Sequence, residues 1–205
     1  MSQEKKYQSK HEKIVNKQQA KFPLWWVLLA ATLGFVAIII ILSARQSNAP
    51  SQATEIAKQP KATDAQVDYR GADVQMFDID AEVTNGNIVV ELKQLEEKQF
   101  VGFKYTNWRP GGSEKSRALP LLAYITPSKK IVTAVSVCEP CRSTRFHISD
   151  DVLVCNSCGT RWTLDELKGI SGGCLKYPPD IVTSTVKDGK IVIPESSVAN
   201  WKPRV

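Results

Sequence analysis

Histidine is nearly missing from this chain of 205 residues, which holds only His11 and His147. That scarcity argues against a histidine-based metal site and leaves no Ser-His-Asp or Cys-His catalytic set to propose. His147 stands between two cysteine pairs and at no ligand spacing, so it reads as a solvated strand residue. Covalent haem in its usual form is excluded as well, because Arg142 and Gly159, not histidine, follow the two Cys-x-x-Cys pairs. No glycine-rich phosphate loop and no internal repeat are present. Nothing here suggests a hydrolase.

Acidic excess is also lacking, and the net charge of +6 with a pI near 9.0 invites a nucleic-acid reading. The distribution removes it. Residues 1–71 carry ten Lys+Arg against five Asp+Glu, while 72–205 carry seventeen against sixteen, so the folded part is almost neutral. A basic N-terminal flank fits a membrane surface and a topology signal better than a nucleic-acid footprint.

What the chain does contain is five cysteines, four of them as Cys138/Cys141 and Cys155/Cys158 with thirteen residues between the pairs. Two intervening residues let one tight turn aim both sulfurs at a common centre, and a second such turn completes a four-thiolate cage. The segment between them, Arg142 to Val154, is long enough for a hairpin with its tip at Asp150-Asp151. Phe146/Ile148 and Val152/Val154 supply the alternating apolar positions of its arms. Gly159 follows the second pair where a positive φ is expected. The first turn, Cys138-Glu139-Pro140-Cys141-Arg142, lacks that glycine and reads as the weaker half. Cys174, after Gly172-Gly173 on a tight loop, is a fifth sulfur, a substitute ligand, a free thiol or a buried turn residue. Four thiolates suit zinc, mononuclear iron, a [2Fe-2S] cluster and Cu(I), and disulfide or dithiol chemistry is the rival reading.

Residues 22–44 carry no charge, and Leu24 to Leu42 is almost wholly apolar. At about 1.5 Å per residue that is long enough to cross a hydrocarbon core of about 30 Å. Six lysines precede it, so the N-terminus is expected in the cytoplasm and the remainder outside. A cleaved signal peptide has the same order of segments, but the apolar run exceeds a typical signal core of about 7–15 residues. The expected organisation is a basic cytoplasmic tail (1–21), a transmembrane helix (22–44), a flexible polar linker (45–72) and a cysteine metal-binding domain (73–205).

That domain reads as mainly β. Phe77, Ile79, Ala81 and Val83 alternate with acidic residues, and Asn85-Gly86 turns the chain into a strand from Ile88 to Leu92. Phe100–Tyr105, Leu121–Ile125 and Ile131–Val137 read as further strands, and Asp188-Gly189 marks another hairpin. Thr163-Leu164-Asp165-Glu166 with Gly169 predicts one short capped helix, with Trp162 and Leu164 packed beneath the sulfurs.

The combination Cys138-Glu139-Pro140-Cys141, Cys155-Asn156-Ser157-Cys158 and Gly172-Gly173-Cys174 resembles the FtrD-like membrane iron-sulfur protein family over about residues 74–200. The resemblance implies an iron-sulfur cluster or iron as cofactor, with zinc as the alternative, and a membrane iron permease or redox protein as partner. Many members have several spans before this domain, so transport by this chain itself is not implied. The stretch from Leu153 to Trp162, with Asp188 to Ile193, is similar to the second half of a Rieske ferredoxin in which cysteines replace both histidines. All-thiolate ligation would lower the potential. The expected protein is thus a single-pass, extracytoplasmic β domain with two rubredoxin- or Rieske-like knuckles, binding metal through Cys138, Cys141, Cys155, Cys158 and Cys174. Its expected task is electron transfer or iron handling. A structural zinc ribbon in an interaction protein and a thiol-disulfide protein are the alternatives.

Overall fold

The computed structural model describes residues 55, 58–61, 67–110 and 113–205. The expected tail (1–21) and transmembrane helix (22–44) lie outside these, as does much of the expected linker. Among the described residues no helix is long and apolar enough to cross a membrane. The chain divides into units 1–49 and 50–205, and only the second contains described residues.

The described residues of this second unit are mainly β and form three antiparallel-dominated sheets. The first has the order β1-β8-β9-β10-β11, built from β1 (Asp73–Gln75), β8 (Phe146–Ser149), β9 (Val152–Cys155), β10 (Arg161–Thr163) and β11 (Gly169–Ser171). The second runs β12-β7-β6-β5-β2, from β12 (Asp180–Ile181), β7 (Ile131–Val135), β6 (Arg117–Ile125), β5 (Phe100–Trp108) and β2 (Phe77–Asp78). The third is β13-β14-β4-β3, from β13 (Thr185–Lys187), β14 (Lys190–Pro194), β4 (Asn87–Glu91) and β3 (Glu82–Thr84). Their apolar faces meet in one core that includes Ile88, Phe100, Leu122, Tyr124, Ile131, Phe146, Trp162 and Ile191, all fully buried.

The tight turns follow from local chemistry. Asn85-Gly86, Asp150-Asp151 and Asp188-Gly189 each place two consecutive residues at positive φ, between +49° and +73°, as a two-residue hairpin turn of matching twist requires. The β8–β9 hairpin is the expected arm between the cysteine pairs, but its register differs from the expected one. Phe146 opposes Cys155 and Ile148 opposes Leu153, so Leu153 and Cys155, not Val152 and Val154, share the face of Phe146 and Ile148.

Two other expectations fail for identifiable reasons. The alternation from Phe77 to Val83 is not one strand: β2 pairs in parallel with β5, whereas β3 pairs with β4, and Phe77 is half exposed. The helix expected at 163–169 is a turn joining β10 to β11. The Thr163 N–H donates to the Lys168 carbonyl at 2.9 Å, and the Thr163 hydroxyl accepts from the Lys168 N–H at 3.1 Å. The threonine thus caps a hairpin, because pairing of β10 with β11 takes the backbone groups that a helix would need. A helix does form at Leu92–Lys98 (α1), where Leu92 and Leu95, three apart, turn one face into the core.

Part of the stretch read as a linker packs onto the domain. The Tyr69 hydroxyl donates to the Ile125 carbonyl at 2.7 Å from a fully buried ring, and Gln59 donates to the Val182 carbonyl at 3.0 Å.

Candidate metal centre

Strand β7 leads into the first cysteine turn and β9 into the second, and the two turns close alike. In the first, the Cys138 N–H donates to the Ser143 carbonyl at 2.8 Å. In the second, the Cys155 N–H donates to the Thr160 carbonyl at 3.0 Å. Each spans five residues, and the fifth position of each run is left-handed: Arg142 at φ +58° and Gly159 at φ +67°. The first turn is therefore not deprived of its left-handed corner for want of glycine. Arginine occupies it at the modest cost a non-glycine residue pays there, and the two turns form a matched pair.

The turns bring their sulfurs together. Cys138 Sγ and Cys158 Sγ lie 3.8 Å apart, Cys141 Sγ and Cys155 Sγ 3.6 Å, and Cys158 Sγ and Cys174 Sγ 3.8 Å. Cys138, Cys141, Cys158 and Cys174 each offer a sulfur within 4.8 Å of the other three. Cys155, the remaining cysteine of the two pairs, touches the group through Cys141 and is fully buried. No cysteine is in a disulfide. All five sequence-derived site residues thus converge, and the compact foursome includes Cys174 in place of Cys155.

The placement of Cys174 has a local cause that the spacing did not reveal. Its backbone N–H donates to the Thr160 hydroxyl oxygen at 3.1 Å, and the same oxygen lies 3.2 Å from Cys158 Sγ. Gly172 makes that approach possible: it sits at φ +113°, and a methyl group there would come within 2.5 Å of Thr160 Oγ1 and 2.6 Å of its Cα. Thr160, fully buried, is the hinge pin of the third sulfur-bearing segment.

Burial disfavours negative charge on Cys138 and Cys155, and Cys158 departs from them. Burial, together with hydrogen bonds to Cys141, pushes the Cys138 thiol far up. Burial also pushes Cys155 up, against the pull of the Cys158 and Ser157 backbone N–H groups on its sulfur. At Cys158 burial acts upward too, but the Thr160 hydroxyl and backbone and the neighbouring thiols outweigh it and bring the group down to about 6. Several adjacent sulfurs cannot all ionise in a dry pocket unless a cation compensates them.

The donor set fits a soft or borderline metal. Metal–sulfur bonds of about 2.3 Å in a tetrahedron put the sulfurs about 3.8 Å apart, the separation of Cys158 Sγ from both Cys138 Sγ and Cys174 Sγ. Trp162 is fully buried, its ring 6.3 Å from Phe146 and its indole N–H donating to the Leu175 carbonyl, next in the chain to Cys174, at 3.2 Å. His147 stays off the metal side and pairs with Asn156 at 2.8 Å.

Two further groups escaped sequence reasoning. Glu139, between the two cysteines of the first turn, is 4 % exposed and forms an ion pair with Arg204. A glutamate flanked by two cysteines was visible, but its partner 65 residues away was not.

Residues 95–205 match the family described as membrane iron-sulfur containing protein, FtrD-like. A search of curated proteins finds no match to the chain.

Proposed function

We propose, from the premise that this chain belongs to the family of FtrD-like membrane iron-sulfur containing proteins, that it is a one-electron carrier whose iron is held by cysteine thiolates. The observation that carries this reading is the convergence of five sulfurs, four of them mutually within 4.8 Å.

Cys138, Cys141, Cys158 and Cys174 would bind the metal, with Cys155 beside Cys141 able to replace a ligand. Iron bound there would supply a reversible one-electron couple, and thiolate donors favour a low potential. The chain's own residues set the rest. Cys138, Cys155 and Cys174 are buried and exclude water, whereas Cys158 is exposed and offers the shortest path to a partner. The Thr160 hydroxyl, and the backbone N–H groups facing Cys155, stabilise negative sulfur.

The uncharged run at 22–44 and the six lysines before it support a single-pass anchor with the domain on the outer face of the cytoplasmic membrane. A membrane iron permease or a redox protein there is the partner this reading implies. The close sulfur spacing favours a second reading as well, a structural zinc site, since one tetrahedral ion accounts for it.

Full-length protein purified anaerobically in detergent separates these. Stoichiometric iron and visible absorption that bleaches with dithionite are expected, and the ratio of iron to acid-labile sulfide tells a single ion from a cluster. A colourless zinc protein that unfolds with chelator would overturn the electron-transfer reading, and protein without metal would leave thiol-disulfide chemistry.

A further inference from the structure

We infer that Arg204 is a positioning residue of the metal centre, holding the first ligand turn in place through the buried carboxylate of Glu139. The inference rests on the reading above that these cysteines bind a metal. Glu139 lies between Cys138 and Cys141 with its side chain almost wholly enclosed. A buried carboxylate next to a group of thiolates adds negative charge where negative charge is already least welcome, and without a partner it is strongly unfavourable.

Arg204 meets it with both its backbone N–H and its guanidinium, Nε reaching Oε1 at 2.5 Å. The same guanidinium is anchored elsewhere: Nη2 donates to the Pro178 carbonyl at 2.7 Å, and Nη1 lies 3.0 Å from Asp180 Oδ1. Asp180 also accepts the Trp201 indole N–H at 2.8 Å, and the Trp201 ring lies 5.8 Å from Trp108.

These contacts close a ring. Asp180 begins β12, which pairs with β7 at Val135, and β7 runs directly into Cys138. The path then goes from Cys138 to Glu139, across the ion pair to Arg204, and back to Asp180. The Cys138-Glu139 half of the first turn is thereby tied twice to the β7–β12 strand pair, once through the backbone and once through the ion pair. Arg204 touches no sulfur and acts only through Glu139.

The test uses metal-free full-length protein in detergent, titrated anaerobically with Co(II) and read by thiolate-to-cobalt charge-transfer absorption. Arg204→Gln is expected to weaken Co(II) binding by about ten- to a hundredfold, the usual cost of losing a group that orients a ligand. Glu139→Gln with Arg204→Gln is expected to recover most of that loss, because the carboxylate between the two cysteines is gone and Asp180 keeps the Trp201 indole N–H. Equal Co(II) affinity in Arg204→Gln and wild type, or a double variant no better than Arg204→Gln, overturns the inference. A purely structural strap would lower the unfolding midpoint of the metal-free chain without changing Co(II) affinity, and that outcome also overturns it. If Arg204→Gln does not fold, Arg204→Lys, which keeps the charge and loses the fork, is expected to show a smaller weakening; wild-type affinity there is fatal. A wild type that binds no Co(II) through thiolates removes the metal reading itself, whereas wild-type binding with an unaffected variant removes only the role of Arg204.

Discussion

Gly172→Ala is the substitution for which the structure makes the sharpest demand. At φ +113° an L side chain is strained by about 1–3 kcal/mol. The new methyl would also press on Thr160, whose Oγ1, Cα and Cβ would lie 2.5, 2.6 and 2.8 Å away. Overpacking of this kind costs about 1–3 kcal/mol more, because Thr160 is fully buried and two of the three atoms belong to its β-branched stem. A total of about 3 kcal/mol is expected after partial relaxation, a large share of the roughly 5–15 kcal/mol that holds a typical domain folded. For a unit of this size the corresponding fall in Tm is about 6–12 °C. Gly173→Ala is the control: nothing lies within 4 Å of its added methyl and its φ is not positive, so its effect should stay within about 0.5 kcal/mol. Thermal unfolding of the metal-free full-length chain, followed by tryptophan fluorescence, reads both. Equal effects of the two substitutions, or a Gly172→Ala variant as stable as wild type, would show that the loop is not docked on Thr160 as described.

Other outcomes follow from single contacts. Cys158→Ser should weaken metal retention more than about tenfold, since Cys158 is in contact with both Cys138 and Cys174; metal analysis after dialysis against chelator checks it. Cys174→Ser should also weaken retention, and unchanged metal content would remove Cys174 from the ligand set. Tyr69→Phe deletes the 2.7 Å bond to the Ile125 carbonyl and should cost about 1–2 kcal/mol in denaturant unfolding. Gly86→Ala meets no atom within 4 Å, so its expected cost of about 1 kcal/mol comes from the +73° backbone alone.

Wherever the local chemistry is self-sufficient, the sequence could be read. Three two-residue turns were recognisable from Asn-Gly, Asp-Asp and Asp-Gly, because a positive φ at consecutive positions is a property of those residues and needs no distant partner. Convergence of the two cysteine pairs was readable for the same reason: each turn aims its own sulfurs. What depended on competition was not. Thr163 carries a helix-capping pattern, yet pairing of β10 with β11 claims the backbone first. Leu92 continues the alternation of Ile88 and Val90 in β4 and also starts the helical spacing to Leu95, so a strand and a helix both suit it in sequence. The contacts of Thr160 and Arg204 lie furthest from reach, since a threonine two residues past Cys158 and an arginine 65 residues from Glu139 acquire meaning only once the chain is folded.

The long separation between Glu139 and Arg204 also has a consequence for how the protein is made. A chain emerging at about 5–20 residues per second exposes Cys138 and Cys141 for roughly 3–13 s before Arg204 can reach Glu139. During that interval the first thiols are present while their clamp is not yet synthesised. The buried Glu139 carboxylate is thus matched only after Cys155, Cys158 and Cys174 have also been made, so the ion pair closes on a chain whose five sulfurs are all present.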